Sequence, residues 1–312
     1  MKPFQLIILV AFGFLAFIGL IVFAGSNQNR SNDGVGTVVI WGTLPREEVD
    51  DMLGNIRDIR DDFDAVTYAE VSPGRFYNAY IEALAADRGP DLVLIPHEQL
   101  VAIQETIRPF SFESLPLRTY QDTYIDGADL SLIEGGYYGI PVGIDPLIMF
   151  YNRSIFNEAR ISTPPQYWEQ FIGLVPRVVE TTGSFAIEKS FIAFGAYANV
   201  QHAGKILSNL FFQVGTPIVD QQLRPVFADK GAGQVAVAES ALRFFAGFAN
   251  PNTSAYSWNS GLDNDRSVFA QGDLAIYFAP ASEYEVLQGL APNLSMGTAA
   301  FPQLEGGSPV VY

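Results

Sequence analysis

Residues 137–152 read YYGIPVGIDPLIMFYN, an apolar stretch that contains two prolines and two glycines. A continuous helix is excluded here, because proline removes a backbone donor and both residue types weaken helices. An apolar segment that is extended and kinked has the geometry of a chain that crosses from one lobe to another. The sequence therefore predicts a two-lobed protein with a crossover, or hinge, at residues 142–150.

Upstream of this stretch, apolar strands alternate with helices whose apolar residues recur every three or four positions. Strands are predicted at 37–41, 65–71 and 91–95, and helices at Val49–Phe63, Phe76–Leu84 and about Glu98–Ile107. This alternation is typical of a largely parallel sheet with both faces covered. The sequence thus predicts an α/β N-terminal lobe over residues 37–141.

Downstream, a second set of elements predicts a C-terminal α/β lobe over residues 151–300. The elements are a helix after Pro164-Pro165, a strand at 191–198, helices at 206–214 and 235–248, and a strand at 274–279. Residues 301–312 are predicted to hold a second crossover and the start of a return to the N-terminal lobe.

The amino terminus carries an apolar run from Phe4 to Ala24 that is broken only by Gln5. At about 1.5 Å per residue the run spans roughly 30 Å, one bilayer core. It predicts a single transmembrane anchor over residues 1–25, with the body outside the cell membrane. A cleaved signal sequence, which would give a secreted protein, stays open as the alternative. Residues 26–36 are predicted to be a flexible linker.

The composition excludes several classes of protein. The net charge of −16 disfavours nucleic acid, which is bound through lysine and arginine. The chain has no cysteine and only two histidines, so neither a disulfide framework nor a metal site is expected. No phosphate loop, nucleophile elbow or H-E-x-x-H motif occurs. We therefore predict a protein that is not an enzyme and needs no cofactor.

Four stretches carry a resemblance to a known family. They are Val39–Gly42 (VIWG), residues 83–93 (ALAADRGPDLV), residues 136–171 with GYYGIP, FYN and PQYWEQF, and Phe269–Ile276 (FAQGDLAI). In this order they resemble motifs of the extracellular solute-binding proteins of ABC importers, in the carbohydrate-binding group that resembles maltose-binding protein. The likeness covers residues 37–312.

The resemblance implies a two-lobed periplasmic-binding-protein fold, type II-like, with a ligand cleft between the lobes. The family pattern continues beyond Tyr312, so a chain truncated at its carboxyl end is expected. The implied function is capture of a sugar or oligosaccharide outside the membrane and its delivery to ABC permease subunits. A monomer without nucleic-acid partners is expected.

A sugar site needs carboxylates or amides for hydroxyl groups and aromatic rings for the C–H faces. The resemblance places such groups at loops that follow strands and in the crossover. The candidate ligand-binding residues are Trp41, Thr43, His97, Glu98, Gln99, Asp145, Asn199, His202, Tyr256, Trp258 and Tyr284. We expect Asp145, Glu98 and Trp258 to face one cleft. Serine occupies position 282, where the family often has an aromatic ring, and Tyr284 is the candidate replacement.

Three alternatives stay open at this point. A binding protein of the same kind could take a non-sugar solute such as glycerol-phosphate, a polyamine or a peptide. A membrane-anchored sensor domain could present its ligand state to a partner kinase. An extracellular carbohydrate-active enzyme is the third alternative, although no residue pair marks a catalytic site.

Overall fold

The computed structural model describes residues 36–183, 186–220, 224–227, 234–307 and 310. The chain divides into two compact units, Met1–Val142 and Gly143–Tyr312. The predicted anchor over residues 1–25 lies outside the described residues. Within the described residues, no helix combines the length and the apolar character that crossing a membrane requires.

The first unit is built on a three-stranded parallel sheet. Its strands are β1 (Val38–Gly42), β2 (Val66–Glu70) and β3 (Leu92–Leu94), in the order β2-β1-β3. A second, antiparallel sheet of two-residue strands follows, with β4 (Phe110–Ser111), β5 (Leu132–Ile133) and β6 (Gly136–Tyr137) in the order β4-β6-β5. The three strands that the sequence predicts for this unit are confirmed.

Helices cover both faces of the parallel sheet. They are α1 (Arg46–Arg57), α2 (Phe76–Ala85) and α3 (His97–Ile103), and α4 (Leu117–Thr123) packs with the small sheet. Val49 of α1 packs in a cluster with Ile40, whereas Phe76 of α2 packs in another cluster with Trp41. Because successive residues of β1 point to opposite faces, the two clusters lie on opposite sides of the sheet.

The second unit contains a five-stranded mixed sheet. Its strands are β7 (Leu147–Asn152), β8 (Glu180–Thr182), β9 (Ala186–Ile192), β10 (Leu274–Pro280) and β11 (Met296–Ala300), in the order β11-β7-β10-β9-β8. Strand β10 is parallel to β9, but β7 is antiparallel to both β10 and β11. The sheet of this unit is therefore mixed, whereas the largely parallel sheet was predicted for the first unit, where it is found. An apolar run such as β7 fits either direction, since burial does not encode strand polarity.

The predicted strand at 191–198 is also corrected. Strand β9 begins at Ala186 and ends at Ile192, because the chain turns at Gly195, whose φ of +94° is left-handed. At the start of β9 exposed residues such as Glu188 alternate with buried ones, as expected for a strand with one face in the core. The apolar residues after Ile192 favoured a strand at 191–198, whereas the half-buried part that begins at Ala186 was not predicted.

Helices pack against this sheet and enclose a hydrophobic core. They are α5 (Arg153–Glu158), α6 (Phe171–Val178), α7 (Ala203–Gln213), α8 (Gln234–Gly247), α9 (Asp265–Gln271) and α10 (Glu283–Leu290). The rings of Trp168 and Phe194 lie 5.7 Å apart, and both pack against Phe244 and Phe278. This aromatic cluster fixes the sheet against the helices, so the strand ends have defined positions.

Candidate functional site

The site in the second unit is built where several strands end together. The carboxyl ends of β9, β10 and β11 lie at one edge of the sheet, beside the amino end of β7, as the pairs Pro280 with Leu147 and Ala300 with Ile148 show. Open α/β sheets bind ligands outside the carboxyl ends of their strands. We call this region the second-unit edge; its residues are Asp145, Tyr197, His202, Ser282 and Tyr284.

Asp145 is exposed at the second-unit edge. Its Oδ1 accepts a 2.9 Å hydrogen bond from the backbone N–H of Ser282, and its Oδ2 accepts a 2.6 Å bond from the Ser282 hydroxyl. The backbone N–H of Ala281 donates to the Pro146 carbonyl at 3.0 Å, which ties the same two segments together. The carboxylate is therefore held in one orientation and still faces solvent.

A partly buried ion pair includes Glu283, the residue that follows Ser282 in the chain. The Arg266 guanidinium forms a two-pronged pair with the Glu283 carboxylate, with Nε 2.8 Å from Oε2. The Tyr277 hydroxyl donates to Gln201 Oε1 at 3.2 Å, and burial raises the pKa of Tyr277 well above its ordinary value. Because Glu283 uses the charge of Arg266, this arginine is poorly suited to neutralising an anionic ligand.

His202 stands at the start of α7, and burial lowers its pKa below the ordinary value of 6.5. Its Nε2 atom is buried and has no hydrogen-bond partner among the described residues. The ring centroid lies 6.3 Å from that of Tyr277, and the charges of Glu283 and Asp145 act on the imidazole. At neutral pH the imidazole is therefore neutral, and it adds no positive charge to the second-unit edge.

Trp258 is a core residue, which corrects its prediction as a stacking platform. Its side chain has no exposed surface, and its Nε1–H donates to Asn199 Oδ1 at 3.0 Å. The Asn199 amide also donates to the carbonyls of Asn259 and Leu262, each at 3.0 Å. Both side chains hold loops to the core, and the fully buried Trp258 presents no surface to a ligand.

The tyrosines differ in what they offer. Tyr256 is half-buried, and its hydroxyl accepts from Asn259 Nδ2 at 2.8 Å. Tyr284 is 42% exposed, and Gln288 Nε2 donates to its hydroxyl at 2.9 Å, which steadies the ring. Tyr197 is 68% exposed in the loop after β9, and the sequence analysis missed it. Its position in a glycine-containing segment outside any amphipathic pattern was the signal that could have identified it.

The first unit has a comparable edge at the carboxyl ends of its parallel strands. Trp41 is half-buried in β1, and Thr43 follows that strand, also half-buried. After β3, the exposed His97 has its Nδ1 3.5 Å from a carboxylate oxygen of Glu98. Gln99 Oε1 is buried without a hydrogen-bond partner among the described residues. We call these five residues the first-unit edge.

The two edges therefore contain eight of the eleven predicted site residues, together with Tyr197 and Ser282. Tyr256 belongs to neither edge, and Trp258 and Asn199 hold loops to the core. That Asp145 and Glu98 face one cleft stays a prediction. Among the residues that the structure describes, no group of three or more histidine, aspartate or glutamate side chains could hold a metal ion.

Residues 62–311 match the family described as bacterial extracellular solute-binding protein. The chain belongs to this family. A Brucella abortus (strain 2308) protein that is named as a binding protein, without a stated ligand, is 21% identical over 182 residues. That match covers 58% of this chain and 42% of the relative, so the chain spans less than half the length of the curated relatives it matches.

Solved structures have the same fold. The Arthrobacter globiformis cyclic α-maltosyl-1,6-maltose binding protein matches with a TM-score of 0.65 at 15% identity, over 88% of this chain and 68% of that one. The maltotriose-bound MalE domain of Bdellovibrio bacteriovorus gives 0.62 at 17%, over 88% and 69%. A mannotriose-bound protein, CpMnBP1, gives 0.63 at 18%, over 88% and 70%. At these identities the similarity establishes the fold, and the α/β solute-binding fold implied by the sequence motifs is confirmed.

Proposed function

We propose that this chain captures a sugar or oligosaccharide outside the cytoplasm, without converting it, and delivers it to an ABC permease. The observation that carries this proposal is the fixed, solvent-facing carboxylate of Asp145 with the exposed ring of Tyr284 two residues beyond Ser282. Charged acceptors bind hydroxyl groups strongly, and an aromatic face packs on the C–H groups of a sugar ring. Family membership and the bound oligosaccharides named for structures of the same fold support it.

Charge at the second-unit edge supports a ligand without negative charge. Asp145 and Glu283 carry two negative charges there, and Arg266 and Lys205 contribute two positive charges, of which Arg266 is already paired with Glu283. A phosphorylated solute such as glycerol-phosphate would meet the exposed Asp145 carboxylate and an arginine that is already paired, so we disfavour it.

A cationic solute such as a polyamine is the second candidate. A groove of about 570 Å³ lies at the start of α1 in the first unit, lined by Pro45, Arg46, Glu47, Asp50, Asp51 and Glu70. Arg46 is engaged within this lining, since its N–H donates to Glu70 at 2.9 Å and its Nε lies 3.1 Å from Asp50. The remaining carboxylates would attract an ammonium group.

The decisive experiment is a ligand screen on the purified full chain. Melting temperatures would be recorded with maltotriose, mannotriose, spermidine and glycerol 3-phosphate, and positive results confirmed by calorimetry. A ligand at 100 times its Kd stabilises by about 2.7 kcal/mol, which gives a shift of several degrees. We expect a shift with an oligosaccharide. A shift with spermidine alone would favour the cationic alternative, and no shift with either sugar would contradict the proposal.

We propose further that residues 1–25 anchor the body to the cell membrane, as a monomer. The apolar run from Phe4 to Ala24 is the basis for this, together with membership in an extracellular family. Membranes from cells that produce the full chain would be washed at alkaline pH, and the retained protein weighed by mass spectrometry. We expect the protein to stay with the membrane at its full mass. Release at a mass reduced by the first residues would show a cleaved signal instead.

A further inference from the structure

Both oxygens of one exposed carboxylate are held by a single residue at the second-unit edge. Ser282 gives its backbone N–H to Oδ1 of Asp145 at 2.9 Å and its hydroxyl to Oδ2 at 2.6 Å. An exposed aspartate normally rotates between rotamers, and a ligand that uses it must stop this rotation. Two bonds from one residue fix the carboxylate plane before a ligand arrives.

We infer that Ser282 is a positioning residue for ligand binding, acting through Asp145. The inference rests on the proposed function, and it gives a role to the serine at a position where the family often has an aromatic ring. The role of Ser282 is to orient the carboxylate, while Asp145 itself accepts hydrogen bonds from the ligand.

The scaffold beneath the pair keeps the two residues in register. Asp145 precedes β7 and Ser282 follows β10, and these strands pair antiparallel with Leu147 opposite Pro280. The Ala281 N–H donates to the Pro146 carbonyl at 3.0 Å, one residue inside the pair. The distance between Asp145 and Ser282 is thus set by the sheet, which positions groups better than a loop does.

The hydrogen bonds also limit what Asp145 can accept. A carboxylate has about four lone-pair sites, and Ser282 occupies one on each oxygen. One site therefore remains on each oxygen for the hydroxyl donors of a ligand.

The test is a double-mutant cycle on the full chain in detergent, titrated with maltotriose and mannotriose by calorimetry. Ser282→Ala removes the hydrogen bond from the Ser282 hydroxyl to Asp145 and should therefore raise the Kd for the trisaccharide about 3- to 10-fold. Ser282→Thr keeps the hydroxyl and should stay within about twofold of the unmodified chain. If Ser282 acts only through Asp145, the double variant Asp145→Ala/Ser282→Ala should bind as Asp145→Ala does.

A matched control is Ser240→Ala. Ser240 is an exposed serine in α8 whose hydroxyl donates to the Val237 carbonyl at 2.7 Å, so its removal should leave Kd unchanged. Melting temperatures of all variants would separate binding from folding, because Ser282 also stands at the start of α10.

Three results would overturn the inference. If the double variant binds more weakly than Asp145→Ala, Ser282 touches the ligand itself. If Ser282→Ala lowers the melting temperature but leaves Kd unchanged, the residue only ties the end of β10 to the segment before β7. If the unmodified chain binds neither trisaccharide, the proposed function fails and the inference fails with it; this result is recognised before any variant is compared.

Discussion

The two units of this protein bury their apolar side chains in different ways. In the second unit, one continuous cluster runs through the described residues from Leu147 to Phe301. In the described part of the first unit, the buried residues divide into three small clusters around Val49, Phe76 and Tyr120. A large core resists local change better than several small ones, because each side chain there has more fixed neighbours.

Buried polar groups follow the same division. All eight polar or charged residues that are buried in the described part of the chain lie in the second unit: Asn152, Ser190, Asn209, Gln213, Thr216, Ser257, Asp265 and Glu283. Three of them, Asn152, Ser190 and Ser257, join strands to loops. The Ser257 hydroxyl, for example, accepts from the N–H groups of Phe191 and Ile192. Such bonds fix geometry, so the comparison predicts a rigid second unit and a more adaptable first unit.

The largest expected effect is on folding. Phe194 lies within 6.4 Å of five aromatic rings, whereas Phe76 is stacked with Tyr80 at 5.9 Å in a small cluster. Phe194→Ala should therefore lower the free energy of unfolding by about 4–5 kcal/mol and Phe76→Ala by about 3 kcal/mol. The smaller loss is expected because the few neighbours of Phe76 can move more easily into the space that its ring leaves. Urea unfolding followed by tryptophan fluorescence measures both. Equal losses would contradict the comparison.

The next effect is a pH dependence that the second unit alone should show. Asp265 is 1% exposed, and burial raises its pKa from 3.8 to about 6, although its Oδ1 accepts N–H bonds from Gln201 and Arg266. The folded state therefore holds the proton more tightly than the unfolded state. Stability is gained as the pH falls from about 6 to about 4 and lost as the pH rises through that window.

Asp265→Asn should remove this dependence, because the amide oxygen can still accept both N–H bonds. The pH-dependent part of the unfolding free energy is on the order of 3 kcal/mol. Urea unfolding at about pH 4 and about pH 7 would measure it. Asp263→Asn, at a neighbouring exposed residue, is the control and should keep the dependence. If Asp265→Asn retains the full pH dependence of the unfolding free energy, the dependence arises from another titratable group.

Ligand affinity gives the third test, through one carboxylate from each unit. Asp145 is clamped by Ser282, whereas Glu98 has His97 beside it at the start of a short helix. Asp145→Asn should lower affinity for the trisaccharide about tenfold to a hundredfold, and Glu98→Gln by less than about tenfold, because the two bonds from Ser282 orient Asp145 before a ligand arrives. Calorimetric titration measures both. A larger effect of Glu98→Gln would reverse the comparison, and no effect of it would argue against a shared cleft.

Much of the fold was predictable from apolar periodicity. Helices α2, α7 and α8 and strands β1, β2 and β10 lie close to their predicted positions, because each combines a clear period with a glycine or proline nearby. Helix α1 was predicted to end at Phe63 but ends at Arg57, and Phe63 belongs to a separate turn that packs against the same cluster. The mixed direction of the second sheet was not predictable, since β7 is apolar on both faces. The start of β9 was missed because Glu188 and Lys189 interrupt its apolar run.

The site was predictable only in part. Asp145 was identified through a family motif, and its exposure agrees with a polar role. Its partnership with Ser282 spans 137 positions of the chain and depends on the pairing of β7 with β10, which no local pattern encodes. Trp258 was misassigned for the same reason: a tryptophan in a polar loop has the same local sequence whether it faces a ligand or enters a core.

The smallest expected effect separates core from site within the second unit. Trp258→Phe keeps an aromatic ring but removes the Nε1–H that donates to Asn199 Oδ1 at 3.0 Å. Loss of that bond should lower the free energy of unfolding by about 1–2 kcal/mol, because the Asn199 acceptor is left without its partner. Kd for the trisaccharide should not change, since Trp258 has no exposed surface. Tyr284→Ala, at an exposed ring, should give the opposite result: weaker binding with little change in the melting temperature. If Trp258→Phe weakens binding as well, then Asn199 transmits core packing to the loop that carries Gln201 and His202, and rigidity of the second unit contributes directly to affinity.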